Sequence, residues 1–122
     1  MASVLMSIHS GYVEKILNGT KQYEFRKTRC KKEVDKLFIY ETAPVKKVVG
    51  EATIEGILEA SPEQIWNQTK NVAGIDKTVF QDYFKNSKRA VAYKLMDVRR
   101  YAIPKTLASF GVKVPPQSYV YV

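Results

Sequence analysis

Lys21, Glu24 and Arg26 stand close together in the segment NGTKQYEFRK, just after Asn18-Gly19. An arginine offers a planar fork of donors suited to phosphate or carbonyl oxygens. A glutamate can accept hydrogen bonds from an exocyclic amine or take a proton as a base. On a strand, side chains two apart share a face, so Glu24 and Arg26 project together and can pair. Lys21 has the opposite parity, but at the end of a turn parity does not bind it, and it can reach the same place. If that place is a hollow, the three side chains can hold a ligand. If it is open water, they form a surface ion pair worth a few tenths up to about 1 kcal/mol. On spacing alone the ion pair is the simpler reading.

Other chemistries find little support. Cys30 and His9 are each the sole residue of their type, and carboxylates do not cluster at ligand spacing. The sequence therefore predicts no disulfide, no metal site and no cofactor. There is no Gly-rich loop between a strand and a helix and no Gly-x-Ser-x-Gly elbow. His9, between an apolar run and a helix start, reads as a partly buried histidine bonded to backbone. The net charge is +8, from 20 Lys and Arg against 12 acids. Such a balance favours polyanionic partners, RNA or a nucleotide among them. Five of the seven residues from Arg26 to Lys32 (RKTRCKK) are basic. They form either a solvated loop or a phosphate-tracking patch in which Arg29, Lys31 and Lys32 contact nucleic acid.

The elements that must position these groups can be read along the chain. A length of 122 residues suits one domain, 1–122, with one core. No apolar run approaches the roughly 18–20 residues of a membrane span. The N-terminus lacks a basic region before an apolar stretch, so no signal peptide is expected, and the cytosol is the default location. Residues 3–8 suit a buried strand. Ser10 offers an N-cap oxygen to a helix carrying Tyr12, Val13, Ile16 and Leu17, and Gly19 ends it. From Lys21 the period becomes two. KLFIYET reads as a strand buried on both faces, closed by Ala43-Pro44. In KVVGEATIEGIL, Val48, Ala52, Ile54 and Leu58 face one way, and Glu51, Thr53 and Glu55 the other. Gly50 and Gly56 suggest a bend or a close neighbour.

SPEQIW predicts a helix with Ser61 as N-cap, Pro62 at the first position and Gln64 completing a capping box. A further helix after Asp76 carries Val79, Phe80, Tyr83 and Phe84 on its buried stripe. RAVAYKLMDVRRY is a long strand. Pro104 and Pro115-Pro116 act as breakers before a terminal strand from Ser118, whose Tyr119 and Tyr121 read as barrel packing. Most strands follow one another without a helix between them, so a doubly wound parallel sheet is disfavoured. The expected fold is α+β: a small mixed or antiparallel sheet curling into a β-barrel, with two to three flanking helices.

The segment ILNGTKQYEFRK resembles the G-x-K-x-x-E-x-R signature of the ASCH domain family, within the PUA-like superfamily. Gly19, Lys21, Glu24 and Arg26 occupy its four positions. IYETAPVKKVVGEATIEGI is similar to that family's strand, Y-x-T/S-x-P turn and following strand, and PPQSYVYV to its closing strand. The resemblance implies a PUA-like β-barrel with a cleft between barrel and helices. It also implies an RNA- or nucleotide-binding module that recognises a base, modified or not, in a basic cleft. By the same analogy Lys21, Glu24 and Arg26 face the ligand, with Tyr40 and Thr42 from the adjacent strand end. The alternative that the resemblance implies is a small metal-independent hydrolase using Lys21 and Glu24. One form is an amidohydrolase for acetylated cytidine, working through a Lys, a Thr nucleophile and a Glu. Lys21 fills the first place, Glu24 stands where the Thr would fall, and Glu51 and Glu55 are candidates for the last. The other form is a ribonuclease.

Overall fold

The computed structural model describes residues 2–122. Its centre is one six-stranded sheet. The strands are β1 (Ala2–Ile8), β2 (Tyr23–Arg26), β3 (Val34–Glu41), β4 (Lys47–Ala60), β5 (Ala90–Lys105) and β6 (Tyr119–Tyr121). Their spatial order is β2-β5-β4-β3-β1-β6. β1 runs parallel to β3, and the other neighbours are antiparallel. Three helices flank the sheet: α1 (Ser10–Leu17), α2 (Pro62–Thr69) and α3 (Lys77–Tyr83). This is the expected mixed α+β architecture, with one refinement. β2 and β6 are not joined by a ladder, so the sheet is a curled half-barrel with an open seam.

Two-sided burial explains the apolar runs. On β1, Val4, Met6 and Ile8 enter the main core with Val13, Ile16, Leu37 and Ile39. Leu5, one residue out of phase, packs against Tyr40, Val48 and Tyr101 on the other side. On β5, Val91, Tyr93 and Leu95 point into the main core. Ala90 and Ala92 point under the helices, where Phe25, Ile65, Phe80 and Phe84 gather. Each fully buried large apolar side chain contributes about 1.5–3 kcal/mol of transfer free energy. Gly50 meets a crowded wall: a Cβ there would lie 2.6 Å from the Arg99 carbonyl oxygen, so the strand pair tolerates no side chain.

Several local expectations are corrected. The N-cap of α1 is His9, not Ser10: His9 is extended (φ −63°, ψ 141°) and its Nδ1 accepts the Gly11 N–H at 3.2 Å. Ser10 is already helical, and its Oγ is buried without a partner. Ser61 and Gln64 do form the capping box of α2. On α3, Phe80 and Phe84 are buried, but Val79 and Tyr83 are 43% and 40% exposed. The short helix turns one face to the core and the next toward a cleft. Pro104 does not break β5, which continues to Lys105 opposite Val48. There β5 has β4 on one side only, because β2 ends its pairing at Lys94, so the missing N–H is not needed. Glu51, on the face opposite Val48 and Ala52, is 9% exposed. Its carboxylate gathers Lys36, Arg99 at 2.9 Å and the Tyr101 hydroxyl at 2.8 Å. The Lys36 hydrogen bond leads in holding its pKa down to about 2.

Candidate functional site

Local hydrogen bonds fix the turn after α1. The Lys21 N–H donates to the Lys15 carbonyl, the Gln22 N–H to Val72, and the Leu95 N–H back to Gln22. Residues 20–22 are thus clamped between the end of α1, the loop after α2 and strand β5. Gly74 closes the clamp in the left-handed region (φ +70°), its backbone against the Lys21 stem. β2 then runs beside β5 with Glu24 opposite Tyr93 and Arg26 opposite Val91.

A cleft of about 400 Å³ opens here, between the end of β1, α1, β2 and α3. Lys21, Glu24 and Arg26 all line it. Lys21 is 3% and Glu24 7% exposed, so this is no open-water ion pair. The Lys21 ammonium donates to the Ala73 carbonyl at 3.0 Å and lies 4.5 Å from the Phe25 ring centre and 5.3 Å from that of Tyr12. An ammonium has three donors. With that carbonyl as its one hydrogen-bond acceptor among the described residues, two remain for a ligand. Burial pulls its pKa from 10.5 to about 8; Glu24 opposes the shift, while Lys15 and Arg26 add to it. A neutral fraction therefore exists near physiological pH, which makes Lys21 a base as well as a donor.

Arg26 differs from the expectation drawn from spacing. Its Nε and Nη2 hold the Glu24 carboxylate at 3.0 and 2.8 Å. Nη2 also donates to the Ser7 carbonyl at 2.9 Å, and Nη1 to the Ser118 Oγ at 3.0 Å. The fork is occupied by protein acceptors: it lines the cleft while tying β2 to β1 and to the segment entering β6.

The remaining candidates lie elsewhere. Tyr40 is 2% exposed within the Leu5–Val48–Tyr101 cluster, and it does not line the cleft. Thr42 sits in the turn after β3, where its N–H donates to the Ile8 carbonyl. Arg29 is 3.9 Å from both Glu33 and Glu59. Lys31 is exposed, and Lys32 lies over the Tyr121 ring at 4.7 Å. None of these three reaches the cleft. Glu51 belongs to the separate cluster with Lys36, and Glu55 pairs with Lys94 at 3.6 Å; neither joins Lys21. Among the described residues, no three His, Cys, Asp or Glu side chains converge as metal ligands.

The sequence reading missed Tyr12, Asp82 and Tyr83, which also line the cleft, and it read His9 as a backbone-bonded residue without placing it there. Tyr83 carries Lys27 over its ring at 4.9 Å, and burial raises its pKa. The available signal was the i, i+3, i+4 spacing that puts Val79, Asp82 and Tyr83 on one face of α3, a face read as core-facing that the neighbouring β2 turns into a cleft wall. The lining thus has two cations, Lys21 and Arg26, and two carboxylates, Glu24 and Asp82. The cleft is electrostatically mixed, where a basic one was expected.

Comparison with known proteins places the chain among relatives. A family model described as Domain of unknown function (DUF365) matches residues 1–118. The crystal structure of ASCH from Zymomonas mobilis superposes with a TM-score of 0.89 at 26% identity, covering 98% of this chain and 87% of that one. The ASCH domain-containing ribonuclease of Zymomonas mobilis subsp. mobilis is 29% identical over 94 residues, 76% of this chain and 64% of that protein. The ATP synthase subunit alpha of Ureaplasma parvum serovar 3 is 32% identical over 121 residues, 98% of this chain and 15% of that protein. The chain therefore spans less than two thirds of the length of these two curated relatives. Among the described residues, no helix is long and apolar enough to cross a membrane.

Proposed function

Since the chain belongs to the DUF365 family and has the ASCH, PUA-like fold, we propose that it binds single-stranded RNA and takes one nucleotide into the cleft beside Lys21. The observation that carries this reading is the buried Lys21 ammonium, with two donors free, in a hollow of about 400 Å³. That volume falls within the range of small-ligand sites. Inside it, donors on Lys21 and acceptors on Glu24 and Asp82 suit the edge of a base, while the Tyr12 and Tyr83 rings offer surfaces for stacking. The balanced lining favours a base over a phosphate. The phosphates fall to cations outside the cleft, such as Lys27, which lies over the Tyr83 ring.

A second reading, RNA cleavage, is favoured by the lowered pKa of Lys21 and by the ribonuclease among the relatives. Neutral Lys21 would take the proton of a ribose 2′-hydroxyl. The 2′-oxygen then bonds to phosphorus as the bond to the 5′-oxygen breaks, and the departing 5′-oxygen takes a proton from water. This leaves a 2′,3′-cyclic phosphate and a free 5′-hydroxyl, while Lys21 returns its proton to solvent. One assay decides between the readings. Wild type and Lys21→Met are titrated with short single-stranded RNAs in the presence of chelator and scored for binding and for cyclic-phosphate ends. The variant should bind at least about tenfold more weakly, about 1.4 kcal/mol. Equal affinity overturns the cleft reading. Binding without cyclic ends removes the cleavage reading alone.

A further inference from the structure

We infer that the chain has a second base-binding pocket, between α2 and α3, which receives another nucleotide of the strand whose first base enters the cleft. The inference rests on the RNA-binding reading above. α3 forms the ridge between two hollows. Val79, Asp82 and Tyr83 slope into the cleft, whereas Lys77, Gln81 and Phe84, at four- and three-residue spacing on the next face, slope into a pocket of about 300 Å³.

The composition of that pocket is that of a base site. Trp66, half-buried, fronts the pocket, backed by the buried Phe80 and Phe84, with the Trp66 and Phe80 ring centres 5.0 Å apart and tilted. Asn67 and Gln81 place exposed amides at its rim. An amide presents a donor and an acceptor side by side, the pattern that matches base edges. Among the described residues their side chains bond to no protein group, so both amides are free to meet a ligand. Glu63 and Lys77 balance each other in charge, as the carboxylates and cations of the cleft do. Aromatic faces with sequence-tolerant stacking are how single strands are held.

The two hollows are also connected. Phe25 of the cleft wall lies 5.1 Å from Phe80, edge to face, and Phe80 lies 5.0 Å from Trp66. One helix width separates the pockets, a step that nearby nucleotides of a single strand can make across the exposed crest of α3. The second pocket has no direct tie to Lys21, so each can be perturbed without the other.

Trp66 is the sole tryptophan of the chain and so reports on this pocket directly. The probes are short single-stranded adenylate, cytidylate and uridylate RNAs, with the corresponding mononucleotides as controls. In wild type, a bound RNA should quench Trp66 emission more than a mononucleotide does. In the double variant Asn67→Ala, Gln81→Ala, RNA affinity should fall about tenfold while mononucleotide affinity stays at the wild-type level. Both positions are exposed and helical, where alanine is well tolerated. If wild type binds RNA, yet Trp66 emission does not move and the double variant binds as wild type does, the second pocket is overturned and the cleft stands. If wild type binds none of the RNAs, both readings fall.

Discussion

At the scale of single residues, Lys21 places a cost on the fold and an advantage on the site. A buried lysine favours its neutral form. Folded, Lys21 gives up its proton near pH 8, against 10.5 for the ordinary side chain. Between those values the unfolded chain binds more protons, so stability rises with pH. Above about pH 10 the sign reverses, because burial raises Tyr93 and Tyr101 and the unfolded chain loses their protons first. Urea unfolding should therefore show wild type gaining stability from about pH 8 to 10. Lys21→Met should be flat in that window and more stable near neutrality, by on the order of 3 kcal/mol. A wild-type curve as flat as the variant's would mean that Lys21 is not desolvated. Strand parity put Glu24 with Arg26 but left Lys21 opposite, so spacing alone favoured a surface ion pair, and only the resemblance to the ASCH signature grouped Lys21 with Glu24. The partners of Arg26 were not legible in the sequence: Ser7 and Ser118 lie 19 and 92 positions away in the chain.

At the scale of elements, the loop that follows α2 acts as the back wall of the site. Gly74 and Gly111 both adopt left-handed backbone, with φ +70° and +74°. A Cβ at Gly111 meets nothing within 4 Å, while one at Gly74 lies 2.8 Å from the Lys21 Cα. Gly111→Ala should cost only the backbone penalty, about 1–2 kcal/mol. Gly74→Ala should cost more and should also weaken RNA binding, because the Lys21 stem must move. Equal effects of the two substitutions on affinity would remove the loop from the site. Element types and order were largely readable, since period-two and period-3.6 patterns and the Ser61–Gln64 box are local signals. The open seam, the buried Glu51 and the persistence of β5 through Pro104 were not. Each depends on which strand lies alongside, and pairing partners leave no mark in a single strand's pattern.

At the scale of the whole molecule, one side chain does the work of a missing ladder. Arg26 reaches from edge strand β2 to β1 and to the segment leading into β6, and Lys32 donates its backbone N–H to the Tyr121 hydroxyl across the same gap. Removing one partner of a buried ion pair costs about 3–5 kcal/mol. Arg26→Gln should then lower Tm by on the order of 10 °C and release hydrogen-exchange protection at β6 first. A Tm within a few degrees of wild type would show that the seam holds without it. The pairing of β6 with β1 carries its own implication for assembly. Val4 to Met6 wait for Tyr119 to Tyr121 as their second neighbours. During synthesis the first strand emerges long before its last partner, so the β3–β4–β5 meander must gather without that closing contact. The most distant pairing in the chain thus carries the largest loop-closure cost of the sheet, which raises the domain's contact order.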